Sequence, residues 1–268
     1  MTAAPLVQRQ ATPARRPCAM RRLLPLAVLA AVSILLASCG GHDPDAIQDA
    51  RSALEYGEFE EAIKAANRAL RGQKGDVDAL ILRGIAQALN RDNGSATKTF
   101  EQAWKIAPQH FYAGFFYGWS LARVNRYGDA IQPLEKAVEL RPNHEQARRL
   151  LARCYLEQEL PGGIEHLERL ADMPSVASTD ALAVIYINIA YLHWRDHNYR
   201  AAARALQTGR SYSARDPYIL QNLAVLYDQY IGDTANARRY YILAIQAYQA
   251  IDEDATHLQK RLRDLARN

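Results

Sequence analysis

Cysteine is scarce in this chain of 268 residues, which contains only Cys18, Cys39 and Cys154. Three widely separated cysteines are too few for a disulfide framework or for a cysteine-ligated metal cluster. Cys154 falls in a stretch with a helical apolar pattern, and we expect it to be a small buried side chain rather than a reactive thiol. The low cysteine content therefore excludes a disulfide-stapled domain.

Basic residues are not in excess once the N-terminus is set aside. Residues 1–38 contain five arginines and no acidic residue, and removing them leaves 28 basic residues (33 minus 5) against 29 acidic ones. The rest of the chain is therefore close to neutral. It lacks the basic surface expected of a non-specific nucleic-acid-binding protein. We expect no nucleic-acid partner.

Motifs that carry enzyme chemistry are also missing. The sequence has no phosphate-binding glycine loop, no serine nucleophile elbow and no carboxylate pair in a predicted cleft. His193 and His197 lie four residues apart, a spacing that can bind a metal, but no third ligand is evident. We therefore expect a protein that is not an enzyme and that holds no cofactor or metal.

The N-terminus has the parts of a bacterial signal peptide. Residues 1–19 show no periodicity and are predicted to be disordered or untranslated, with Met20 as the true start. Arg21 and Arg22 give the positive region, and an apolar run from Leu23 to Ala37 follows. That run is about 15 residues long, which is short for a membrane-spanning helix. Residues 1–38 are therefore predicted to be a leader and a cleaved signal peptide.

The end of the apolar run, Leu36-Ala37-Ser38-Cys39, resembles the lipobox of bacterial lipoproteins. The resemblance implies a mature protein that begins at a diacylated Cys39 and is anchored through its acyl chains, each buried CH₂ contributing ~0.8 kcal/mol. The residue after the cysteine is Gly40 and not an aspartate, which resembles the sorting signal of outer-membrane lipoproteins. The resemblance implies a protein that is anchored in the outer membrane and faces the periplasm. Residues 39–42 would form a short spacer. An uncleaved helix, or an ordinary signal peptide with an incidental cysteine, is the alternative.

A period of 34 residues organises the chain from Val77 to Pro142, and such a period indicates helix–turn–helix repeats stacked into a solenoid. Small residues and a proline recur at the same offsets in two copies: Gly84, Ala96, Ala103 and Pro108, then Gly118, Ala130, Ala137 and Pro142. Small residues are needed where the two helices of a repeat approach most closely. The proline ends the second helix because it lacks an N–H and clashes with the preceding turn.

This pattern resembles the tetratricopeptide (TPR) repeat. The resemblance implies an all-α, right-handed superhelical solenoid, with about six repeats over residues 43–253 and a capping helix at 254–268. Asn188 and Asn222 are again 34 residues apart, which extends the period towards the C-terminus. The last repeat has one residue inserted in its turn, near Gly232.

One repeat is degenerate, with helices predicted at Glu145–Gln158 and Gly162–Ala171. Pro161 stands where the repeat usually has an aromatic residue. The segment Met173–Thr179 that follows adds a loop of about four residues beyond the usual connection. We predict that this loop is a hinge.

TPR proteins use one face of the first helix of each repeat to line a concave groove for partners. The residues of this chain that match those positions are Ile81, Ile85, Tyr112, Phe115, Trp119, Arg123, Arg149, Arg153, Tyr191, Trp194 and Arg195. Aromatic and arginine side chains are enriched in binding hot spots. The alternative is that part of the dense aromatic run around Phe115 fills the core, and we expect at least two of its six rings to be exposed.

Asn188 and Asn222 occupy a position at which some TPR proteins hydrogen-bond the backbone of an extended peptide, because an amide both donates and accepts. The resemblance implies a membrane-anchored TPR adaptor that binds protein partners, a peptide or a secretin-like component, in the periplasm. In architecture it is similar to TPR lipoproteins of type IV and tight-adherence pilus assembly. The alternatives are an adaptor that tethers cell-wall hydrolases or proteases, and an outer-membrane assembly factor.

Overall fold

The computed structural model describes residues 6, 43–176 and 178–267. Within these residues the secondary structure is entirely helical, and a π-helical segment, Leu226–Ile231, directly follows the eleventh α-helix. The α-helices are α1 (Pro44–Glu55), α2 (Phe59–Gly72), α3 (Val77–Leu89), α4 (Asn93–Ile106), α5 (Phe111–Arg123), α6 (Tyr127–Leu140), α7 (Glu145–Glu157), α8 (Gly163–Ala171), α9 (Thr179–Arg195), α10 (Tyr199–Tyr212), α11 (Pro217–Val225), α12 (Thr234–Gln249) and α13 (Thr256–Arg267).

The helices follow one another as six helix–turn–helix repeats, from α1 and α2 to α11 and α12, and α13 packs against α12. In several repeats the first helix is capped by the aspartate that precedes it, whose side chain accepts a hydrogen bond from a backbone N–H of the first turn. These aspartates are Asp43, Asp76 and Asp216. The predicted all-α solenoid of TPR-like repeats with a C-terminal helix is therefore confirmed.

Each turn inside a repeat contains one residue with a left-handed backbone, which closes the first helix through a Schellman-type hydrogen bond such as Glu58 N to Ala53 O at 2.8 Å. These residues are Gly57, Arg91, Asn125, Glu159, His197 and Gly232. The first four are 34 residues apart, whereas the last two steps are 38 and 35 residues. The structure thus locates the insertion of four residues between the fourth and fifth turns and that of one residue before the sixth.

The described helices divide into two compact units, residues 43–154 and residues 155–267. The first unit is built on close helix contacts that only small residues allow. A Cβ atom added at Gly84 would lie 2.5 Å from the Phe100 ring, and one added at Gly118 would lie 2.4 Å from Leu134 Cγ. The Phe100 ring lies on α4 one turn beyond Ala96, and in the next repeat the Cβ atom added at Gly118 would also lie 3.2 Å from the Ala130 carbonyl oxygen.

The second unit relies more on tyrosine hydroxyls and charged groups. Asp228, in the π-helical segment, accepts two hydrogen bonds from the Arg261 guanidinium, at 2.7 and 2.8 Å. Tyr241 of α12 donates to the same carboxylate at 2.9 Å. The Asp228 side chain is only 3% exposed, so this network ties α13 to the last repeat through a buried charge.

The predicted signal peptide and Cys39 lie outside the described residues. Among the described helices, none combines the length and the apolar composition that a membrane crossing requires. The C-terminal helix α13 turns Leu258 and Leu265 into the core and leaves Lys260 and Arg263 exposed, in agreement with its amphipathic pattern.

Candidate partner-binding surface

Five of the residues expected to line a groove are buried instead: Ile81, Ile85, Tyr112, Phe115 and Asn222. The expectation that these five side chains offer open surface is therefore wrong. For the two isoleucines the reason lies in α3, which is apolar almost all the way round and is buried on nearly every side. Asn222 lies in α11 within the buried run from Asn222 to Leu226.

The aromatic run of α5 is largely core. Tyr112 and Phe115 pack with Phe111 and Phe116, whose ring centroids lie 5.0 to 6.2 Å from theirs. His144 adds a further ring, 5.3 Å from Phe115. The four rings are buried because α5 meets neighbours on most of its surface. Two rings of the run keep partial exposure.

Those two rings are Tyr117 and Trp119, both half-buried. Trp119 packs edge to face on Phe116, with centroids 6.3 Å apart, which holds one side of the indole in the core. The guanidinium of Arg123 also lies over the indole, with its Cζ atom 4.8 Å from the ring centroid. The pair thus forms a cation–π contact at the end of α5, with an exposed arginine and a fixed indole.

Helix α7 runs alongside α5 in the same direction. His144, just before α7, packs on Phe111 at 4.7 Å between ring centroids, whereas Arg153 near its end lies over Tyr127 in the turn that follows α5, at 5.5 Å. Arg153 also donates to the Tyr127 hydroxyl at 3.1 Å. Four residues of these two helices that were predicted from the repeat positions are not buried, and we call them the α5–α7 face: the half-buried Trp119 and the exposed Arg123, Arg149 and Arg153.

The second unit brings three predicted residues together on α9. Tyr191 and Trp194 lie 5.8 Å apart between ring centroids, and Tyr191 donates to Glu159 at 2.7 Å, while Arg195 forms an ion pair with the same carboxylate. Burial, together with the Glu159 carboxylate, raises the pKa of Tyr191 to about 12. Asn188, one turn earlier, is half-buried. The charges of this cluster are satisfied within it.

Glu159 is a residue that sequence reasoning missed. Its backbone is left-handed, with a φ of 54°, because it occupies the repeat turn. The spacing of 34 residues from Asn125 was the available signal that it ends a helix beside α9. Neither that spacing nor its charge showed that it would pair with Arg195.

Histidine and carboxylate groups do not converge on a metal site. Among residues 6, 43–176 and 178–267, no three His, Cys, Asp or Glu side chains are placed to hold an ion. Burial lowers the pKa of His144 and of His193, which keeps both imidazoles neutral near pH 7. His197 contacts the Tyr199 hydroxyl at 2.9 Å rather than His193.

A shallow depression of about 530 Å³ lies on the first repeat, between α1 and α2. Its walls carry both signs of charge, including an ion pair between Arg68 and Asp49 and another between Lys64 and Glu61. Tyr56, at its rim, is 82% exposed. The depression resembles the polar outer surface that a solenoid needs at its end.

Comparison with known sequences supports the repeat assignment. Two tetratricopeptide-repeat family models match, one over residues 48–111 and the other over residues 121–161. No curated protein sequence matches the chain.

Solved structures share the fold at low sequence identity. YrrB, described as a TPR protein with an unusual peptide-binding site, has a TM-score of 0.55 at 18% identity, covering 65% of this chain and 88% of its own. MamA has a TM-score of 0.54 at 18% identity, covering 65% of this chain and 92% of its own. PilF of Pseudomonas aeruginosa covers 78% of this chain and 96% of its own at 18% identity, but its TM-score of 0.48 carries no functional argument.

The helix pairs, the 34-residue spacing of the turns and the family models agree on one repeat type. TPR arrays act as scaffolds for protein–protein interaction. Residues 48–111 and 121–161 match tetratricopeptide-repeat models, and the described helices form a TPR-like solenoid.

Proposed function

We propose that this protein is a lipid-anchored TPR adaptor that binds a segment of a protein partner on the α5–α7 face. The observation that carries the proposal is the stacked pair of Trp119 and Arg123. Tryptophan and arginine are the residue types that dominate binding energy at interfaces. Here both are fixed before a partner arrives, so little side-chain entropy is lost on binding.

The core beneath the pair favours the same site. Trp119 is held edge to face by Phe116 and lies 6.4 Å from Phe100, both of which are buried. A rigid aromatic base keeps the indole and its guanidinium in one position. By contrast, in the cluster on α9 the Glu159 carboxylate already accepts from Tyr191 and pairs with Arg195, which leaves fewer unsatisfied groups for a partner.

The membrane anchor and the cellular role rest on the sequence. The lipobox-like segment that ends at Cys39 supports acylation of that cysteine and a periplasm-facing position at the outer membrane. The architecture, a lipid anchor followed by a TPR array, supports a role in holding a component of an envelope machine, such as a secretin or another part of a pilus system.

Crosslinking in intact cells, followed by purification from membranes, tests the proposal. We expect the wild-type chain to be recovered from the outer membrane with a secretin or pilus component, and the Cys39→Ala variant to be released from the membrane fraction. Recovery of a cell-wall hydrolase or of a barrel-assembly component instead would move the protein to one of the alternative adaptor roles. Recovery of no crosslinked protein would contradict the adaptor function, and unchanged membrane association of Cys39→Ala would contradict the anchor.

A further inference from the structure

We infer that the partner segment captured on the α5–α7 face is acidic, and that Arg123 binds one of its carboxylates. This inference rests on the proposed function and adds the chemistry of the partner to it. The starting point is the environment of the Arg123 guanidinium, which is exposed at the end of α5 and stacks on Trp119.

Arg123 has no carboxylate partner among the described residues, and its guanidinium lies over the Trp119 indole. Several other exposed arginines of the chain are paired. Arg126, three residues further on, is bound by Asp129 at 2.7 Å, and Arg149 is bound by Glu145. Arg123 therefore keeps its hydrogen-bonding capacity for a group from outside.

Stacking on the Trp119 indole also orients the N–H groups of Arg123. A guanidinium that lies over a ring uses its flat surface for the cation–π contact, and its N–H groups point outwards in the plane. These in-plane N–H groups match a carboxylate, which can accept two parallel hydrogen bonds from them. The indole fixes the arginine in place, so the N–H groups of its guanidinium are preorganised for an anion.

The charge of Arg123 sets the sign of the ligand. Arg153 of α7 stacks over Tyr127 and donates to its hydroxyl, in the turn that follows Arg123, and Arg149, one turn earlier on α7, pairs with Glu145. A basic segment would be repelled here, whereas an acidic segment would be attracted and oriented. The half-exposed indole of Trp119 suits an apolar side chain next to the acidic one.

The inference can be tested with fluorescence anisotropy on the full-length chain in detergent. The probe is a short fluorescein-labelled peptide of glutamate, leucine and glycine, and its companion has lysine in place of glutamate. We expect the glutamate peptide to bind more tightly than the lysine peptide, and its binding to weaken as salt is added. We expect Arg123→Glu to weaken binding of the glutamate peptide by about tenfold or more, the effect of losing a charge-assisted hydrogen bond.

Arg263→Glu is the matched control, because Arg263 is an exposed arginine on α13 and is not part of the α5–α7 face. It should leave peptide affinity within roughly twofold of the wild type. The inference is overturned if the glutamate peptide binds no better than the lysine peptide, or if Arg123→Glu binds it as well as the wild type does. Either result would leave the adaptor function standing as long as a crosslinked protein partner is recovered from cells, so the two failures are distinguishable.

Discussion

The two compact units of this chain keep the same repeat with different interactions. In residues 43–154 the helices approach closely through Gly84, Gly114 and Gly118, and the turns recur every 34 residues. In residues 155–267 close glycine contacts are present as well, since a Cβ atom added at Gly163 would lie 2.8 Å from Tyr155 Cβ, but the repeat accepts insertions and adds polar contacts such as the Asp228–Arg261 pair. Close packing of small residues is thus common to both units, and the second adds hydrogen bonds of tyrosine and charged groups.

The last repeat shows how an insertion is accepted. One inserted residue is absorbed as the π-helical segment Leu226–Ile231, which ends at left-handed Gly232 with a φ of 80°. The wider turn places Asp228 where it meets both α12 and α13. The carboxylate also contributes, after burial, to a raised pKa of the Tyr241 hydroxyl, which keeps that group a hydrogen-bond donor.

The largest effect should come from removing the charge that pairs with Asp228. Arg261→Ala leaves a carboxylate that is 3% exposed without its cation, and we expect a loss of about 3 kcal/mol in the stability of the last repeat and α13. Hydrogen exchange should become faster in residues 256–267. Such a loss would strengthen the contrast between the two units, because the stability of the last repeat and α13 would depend on one polar contact.

Arg263→Ala is the control for that variant, because Arg263 lies on the same helix but is exposed. It should change stability by less than about 0.5 kcal/mol. If α13 exchanges at the same rate in Arg261→Ala as in the wild type, the apolar contacts of Leu258 and Leu265 are sufficient and the contrast between the units is wrong.

A smaller loss is expected from a methyl group added in the first unit. Gly118→Ala places a Cβ atom 2.4 Å from Leu134 Cγ and 3.2 Å from the Ala130 carbonyl oxygen, and Leu134 is fully buried. We expect the free energy of unfolding of residues 43–154 to fall by about 1–3 kcal/mol, as overpacking usually costs. Urea unfolding followed by circular dichroism measures it.

Gly94→Ala makes the same chemical change where there is room, since the nearest atom to an added Cβ is 3.9 Å away. Stability should stay the same or rise by up to about 1 kcal/mol, because alanine favours the helix. Equal stability of the two alanine variants would show that the small residues of the repeat are not required for close packing.

The sequence was sufficient for the architecture because its signals are local. Proline after the second helix and aspartate before the first act within one turn of a helix, and glycine and alanine at fixed offsets act between two helices that are adjacent along the chain. The two insertions were visible as breaks in the period, and the turn residues His197 and Gly232 show where they fall.

The surface was harder to predict because exposure depends on contacts that are distant in sequence. The repeat position of Ile81 and Phe115 is the same as that of Arg149, yet the first two are buried and the last is exposed. Repeat position alone therefore does not decide which side chains remain open. The stacking of Arg123 on Trp119 follows from helical spacing, because residues four apart share a face.

Site-specific photo-crosslinking tests the partner-binding surface most directly. Benzoylphenylalanine would replace either Trp119, on the α5–α7 face, or Tyr56, which is 82% exposed on the first repeat. Both substitutions exchange one aromatic side chain for another at an exposed or half-exposed position. We predict that the protein partner is crosslinked from position 119 and not from position 56. Crosslinking from position 56 with none from position 119 would contradict the assignment of the α5–α7 face as the site of partner binding.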